Sequence, residues 1–188
     1  LEAWARETGQ VLDETGKVKV NAEIPAPEGA PGLLTGTMVT RVFEPSGAFS
    51  VDEATVTVSP HERYVGLQLE KGDAARGMLL TDVKHPTKLV LLDEDGKPVP
   101  DGEVEASLYK IEWRWWWEKG PDSLAEYAEA RNLQPLQTGT VAVKNGVATW
   151  DFEVKFPDWG RYLVVAKDNQ GTHRAGKVVY IDWPGWAG

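Results

Sequence analysis

Catalysis needs titratable or nucleophilic side chains that can converge on one point. This sequence offers few. Its histidines are His61, His85 and His173, and none sits in an i, i+4 pair or beside a cysteine. That is not metal-ligand spacing. There is no cysteine anywhere, which excludes thiolate catalysis, disulfides and Cys-based zinc sites. Serines and aspartates are present, but none stands in a nucleophile elbow. Gly32, Gly36 and Gly47 lack the spacing of a phosphate loop. Asp93-Glu94-Asp95-Gly96 begins like a calcium loop but lacks the rest of the twelve-residue ligand set and its closing Glu. A hairpin turn is the simpler reading. The expectation is no enzyme: no catalytic residue, no cofactor and no metal.

The unusual residues are the tryptophans, nine in 188. Four stand in Glu112-Trp113-Arg114-Trp115-Trp116-Trp117. On a strand, Trp113, Trp115 and Trp117 share one face, and Arg114 and Trp116 share the other. One reading is an aromatic platform that stacks sugar rings, with Arg114 as a polar clamp. That would make the chain a carbohydrate-binding or adhesion module. The other is that one face fills a core while the other meets a neighbouring domain. A packed Trp buries about 150–250 Å², which suits the second. Trp183-Pro184-Gly185-Trp186 reads as an exit linker, with Trp183 and Trp186 packing on the next domain.

The elements that must position these residues are strands. Val18, Val20, Ala22 and Ile24 alternate with polar residues, as do Ala54, Val56 and Val58. Both read as half-buried strands, and Thr37 to Phe43 as a third. Turn-formers lie between them: Asp13 to Gly16, Pro25 to Gly29, and Pro45-Ser46-Gly47. Beyond Ser59-Pro60, strands are expected from Tyr64 to Leu69, at Leu89 to Leu92, and from Val104. The apolar phase then shifts at Leu108–Tyr109, which predicts a β-bulge near Leu108. Ser123 and Glu126 make a capping box that predicts a helix near 123–133, ending before Pro135. Thr138 to Val143 leads into Asn145-Gly146, a hairpin signal. Ala148, Trp150, Phe152, Val154 and Phe156 form an inward row. Tyr162 to Ala166 and Lys177 to Ile181 are the last strands. Tyr162 should begin the penultimate one with its ring inward and its hydroxyl on nearby backbone, as in a tyrosine corner.

Evenly spaced antiparallel strands with turns between them indicate an all-β sandwich. Residues 60–188 hold seven strands and one inserted helix, a complete sandwich. Residues 1–59 hold about four strands, a sandwich short of its opening strands. No run reaches the ~18 apolar residues of a membrane helix. Acidic residues outnumber basic ones 29 to 20, for a net charge of −9. That disfavours phosphate backbones and hence nucleic acid. The chain begins at Leu1 with no basic-then-apolar leader, which suggests a piece of a longer polypeptide.

Several stretches carry a family resemblance. Leu108-Tyr109-Lys110-Ile111-Glu112-Trp113-Arg114-Trp115-Trp116-Trp117-Glu118 resembles a segment of bacterial alpha-2-macroglobulin family proteins. So do Trp159-Gly160-Arg161-Tyr162-Leu163-Val164-Val165, the turn Gln170-Gly171-Thr172-His173, and Tyr180-Ile181-Asp182-Trp183-Pro184-Gly185-Trp186. Arg41 to Gly47 and Ser59 to Gly66 are similar to the preceding domain and its junction. The resemblance implies two consecutive macroglobulin-like (immunoglobulin/fibronectin-III-like) β-sandwiches. It also implies a parent that traps proteases in the periplasm or cell envelope, often lipid-anchored and with a role in defence. In such a trap a bait region is cut, the molecule collapses, and a Cys–Gln thioester can capture the protease. With no cysteine and no evident bait, this segment would be scaffold. Its partners would be neighbouring domains of the parent chain and, through the whole parent, host or competitor proteases. No membrane contact is expected of this segment.

Overall fold

The computed structural model describes residues 9–21, 29–73, 76–111, 134–183 and 185. The chain divides into two compact units, Leu1–Pro60 and His61–Gly188. The regular elements among the described residues are strands, and no α-helix occurs among them. The expected helix near 123–133 and the Trp113–Trp117 run lie outside the described residues.

In the first unit, β1 (Leu34–Phe43) and β2 (Phe49–Val58) pair antiparallel from Leu34↔Val58 to Phe43↔Phe49. The turn between them closes where Gly47, at φ 88°, donates its N–H to the Glu44 carbonyl. Residues directly opposite in such a ladder share a face. Leu34, Met38, Val42, Ala54, Val56 and Val58 therefore make one apolar face. Phe43 and Phe49 meet on the other, 5.2 Å apart. Apart from Leu34, Gly36 and Val58, which are half-buried, the ribbon is exposed along its length. The strand expected from Val18 to Ile24 does not form over residues 17–21, where Val18 and Val20 are exposed in irregular backbone. Residues 22–24 lie outside the described residues. Alternation alone makes no strand: it needs a partner ladder and a surface to cover. The four strands expected in this unit are two among the described residues.

The second unit contains β3 (Arg63–Leu69), β4 (Leu79–Leu80), β5 (Lys84–Asp93), β6 (Asp101–Ile111), β7 (Gln137–Lys144), β8 (Val147–Glu153), β9 (Gly160–Asp168) and β10 (Arg174–Asp182). Hydrogen bonds run in the order β3-β5-β8-β7-β6-β9-β10-β4. The β7–β8 link is only the pair Lys144↔Val147, at an Asn145-Gly146 turn with φ of 50° and 76°. Both central residues at positive φ define the tight hairpin turn that this dipeptide favours. The sheet folds over at this turn into two layers. Val65, Leu89, Leu91 and Phe152 of β3-β5-β8 share one core with Val104, Leu108, Tyr162, Val164 and Ile181 of the other layer. The two-residue β4 was not anticipated. It runs parallel to the end of β10, so the chain that begins beside β5 finishes its first crossing on the opposite layer.

Two details depart from the sequence reading. No bulge interrupts β6 near Leu108, because its register with β9 runs unbroken from Val104 to Ile111 and its register with β7 runs unbroken up to Leu108. Leu108 still faces the main core. Tyr109 and Ile111 face outward and pack with Leu163, Val165 and Val178 in a second apolar cluster. The phase shift thus marks a strand with apolar residues on both faces, not an extra residue. Phe156 does not continue the inward row of β8. It lies past the strand's end and is 57 % exposed, because the chain turns at residues 156–157.

Candidate functional site

Arg63 and Asp168 show how period-two geometry can concentrate charge. Val65 and Leu69 face inward on β3, so Arg63 does too. On β9, Tyr162, Val164 and Ala166 face inward, so Asp168 does as well. The two charges meet between the layers, with Arg63 Nε 3.0 Å from Asp168 Oδ2. Asp168 is fully buried. Two glycines leave room for the pair. A Cβ on Gly171 would lie 2.5 Å from Asp168 Oδ2, and one on Gly102 would lie 2.7 Å from Arg63 Nη2. A buried pair of this kind contributes little net stability, but removing one partner leaves a charge stranded in the core.

Around this pair the start of β3 is tied to the β9–β10 turn. His61 Nδ1 and Thr172 Oγ1 are 2.7 Å apart. Arg63 Nη1 donates to Gln170 Oε1. The Val65 amide donates to His173 Nδ1 at 3.1 Å. The rings of His61, Tyr64 and His173 stack edge-to-face or tilted, with centroids 4.9–5.5 Å apart. This joint bridges the layers with side chains where no backbone ladder does, since β3 pairs only with β5.

The opposite end of the sandwich carries Tyr162 and the last tryptophan that the structure describes. The Tyr162 ring is fully buried and its hydroxyl donates to the Asp158 carbonyl. Burial holds its phenol above the usual range, against a smaller opposing pull from Lys110. Lys110 bonds the Asp158 carboxylate at 2.9 Å, which raises its own affinity for a proton. Trp183 stands between Phe156 and Trp159, edge-on to each at 5.8 Å. Trp159 is 47 % exposed. These rings form a corner rather than a flat platform. Trp113, Arg114, Trp115, Trp116, Trp117 and Trp186 lie outside the described residues.

A third polar site is His85, buried on β5. Its Nε2 is 2.7 Å from the Leu80 carbonyl and its Nδ1 is 2.5 Å from Glu70 Oε1. This pins β4 against β5. Asp93 accepts from the Asp95 and Lys97 amides at 3.0 and 2.8 Å, so its carboxylate closes its own turn. No group of three His, Asp or Glu among the described residues is arranged to hold a metal ion. Tyr162 was found by the sequence reading. The Arg63–Asp168 pair was missed, although two opposite charges on the inward phase of their strands were a legible signal. The acceptor role of His173 had no sequence signal.

Residues 66–183 match the family model of bacterial macroglobulin domain 6. No curated protein matches the chain.

Proposed function

Because the chain belongs to the bacterial alpha-2-macroglobulin family, we propose that it is a structural scaffold segment of a protease trap. The carrying observation is the family match over most of the second unit, together with a sandwich whose polar groups bond one another across its layers. Asp168, Arg63, His173 and Tyr162 are each engaged in holding strands together. Groups so engaged are poorly placed to act on a substrate. In this reading the segment is not an enzyme and contains neither bait nor thioester. The absence of cysteine supports the second point. Its immediate partners are neighbouring domains of the parent chain, which the exposed Phe156 and Trp159 are suited to meet. Proteases are partners only of the whole parent, which works in the periplasm or cell envelope.

A trap acts by being cut and closing, so a scaffold segment alone has nothing to close. The isolated chain should leave the cleavage of a protein substrate by a trypsin-like protease at its uninhibited rate. Inhibition by these residues alone would overturn the scaffold reading.

A further inference from the structure

We propose that the two units respond oppositely to tension along the chain: the β1–β2 ribbon gives out length at low force, and the second unit holds as a stiff link. The difference lies in how each ladder meets the pull. The chain enters the ribbon at Leu34 and leaves it at Val58, and these two residues stand directly opposite each other in its register. Pulling them apart loads one cross-strand pair at a time, so the ladder opens from that end. The ribbon is a two-stranded sheet, so no third strand shares the load. Once open, residues 34–58 release roughly 80 Å of extended chain.

The second unit is threaded differently. The chain enters by β3, whose first residue is tied to the β9–β10 turn. It leaves by β10, whose last residues, Ile181 and Asp182, lie beside Leu79 and Leu80 at the other end of the sandwich. The two strands therefore run the same way, with entry and exit at opposite ends. A pull along the chain is parallel to both. Antiparallel ladder bonds lie across their strands. The pairs from Arg63↔Asp93 to Leu69↔Thr87 are thus loaded together, as are those from Arg174↔Lys167 to Ile181↔Gly160. Side chains reinforce both ends. At the entry, His61–Thr172, Arg63–Gln170 and Arg63–Asp168 hold β3 to the turn past which it would have to slide. At the exit, β4 runs beside β10, and the Thr81 amide donates to the Asp182 carbonyl at 2.8 Å.

In a trap that closes, such a pairing lets neighbouring domains move apart along a continuous chain while the second unit keeps its shape. That use rests on the scaffold reading, whereas the response to force rests on strand direction alone. The two fail separately: protease inhibition by the isolated chain overturns the first and leaves the second standing.

The test is single-molecule stretching of the full chain. Held by its two ends, it should first extend at low force by the length of residues 34–58, and the second unit should then rupture in one event at several-fold higher force. A two-stranded ribbon is marginal in any case, so the effect of pulling direction is tested within the second unit. The chain has no cysteine, so paired substitutions give unique points of attachment. Glu62→Cys with Gly188→Cys pulls along β3 and β10. Glu62→Cys with Glu94→Cys pulls β3 and β5 apart at the ends where Arg63 meets Asp93. Glu62, Glu94 and Lys97 are exposed, and Lys97→Cys, on the same turn, replaces Glu94→Cys if that variant does not fold. Forced unfolding is governed by the unfolding barrier, which the first pair meets in shear and the second by peeling. At one loading rate the first pair should therefore rupture at several-fold higher force. Equal forces in the two attachments, or an end-to-end trace in which the second unit yields before the ribbon, would overturn the proposal.

Discussion

Tyr162 buries its ring in the core while its hydroxyl, at a part-buried edge beside Lys110, donates to the Asp158 carbonyl, and a partly buried hydroxyl without that partner would be costly. Tyr162→Phe removes donor and cost together but strands the carbonyl. It should lower the unfolding free energy by about 1 kcal/mol, read as a shifted urea midpoint with unchanged slope. An unchanged midpoint would mean that the bond contributes nothing. The placement of Tyr162 was readable because a tyrosine at the head of an apolar run, just after a turn, has few other uses. His173 was opaque for the opposite reason. A histidine can donate, accept or carry charge, and which it does depends on the atom that arrives from β3, over a hundred residues earlier in the chain.

At the scale of elements, the β7–β8 hairpin has consequences beyond its two strands. The Leu91 amide donates to the Gly146 carbonyl at 2.9 Å, and the Asn145 amide to the Pro100 carbonyl at 2.7 Å. The turn is thereby stapled to both layers where the sheet folds over. A Cβ on Gly146 would sit 2.6 Å from Pro98 Cβ and 2.9 Å from its Cα, and φ there is 76°. Gly146→Ala therefore combines backbone strain with a clash against a rigid ring. It should destabilise the second unit by about 1–3 kcal/mol, measured by chemical denaturation. A loss within a few tenths would show that the turn yields freely. The Asn-Gly pair announced this hairpin in the sequence, but nothing local announced that the sheet would turn its layers there. The expected bulge near Leu108 failed on similar ground. A switch of apolar phase can mean an inserted residue or a strand with two covered faces, and only the ladders with β7 and β9 distinguish them.

For the molecule as a whole, the two units differ in what they bury. The β1–β2 ribbon leaves Phe43, Phe49, Met38 and Val39 at least half exposed, while the second unit closes a core with sixteen buried residues among the described ones. Two-stranded hairpins without a covering surface are marginal in water. Amides of Val51 to Val56 should therefore exchange by local opening, orders of magnitude faster than those of Trp150 to Phe152, which open only with the second unit. Comparable rates in a hydrogen-exchange experiment would show that the ribbon is held by something other than its own ladder.

Composition, charge and strand alternation by themselves established an all-β chain without cysteine chemistry. They placed most of the strands of the second unit, its two clearest hairpin turns and the role of Tyr162. These are short-range properties: side chains alternate by the pleat, and turns are set by a few adjacent residues. Only the tertiary structure decided that Arg63 meets Asp168, that a two-residue strand crosses to β10, that Tyr109 and Ile111 serve a second face, and that Val18 and Val20 stay outside any sheet. Each of these depends on which distant segment arrives alongside. A strand's sequence specifies its two faces but not the partner that will cover them.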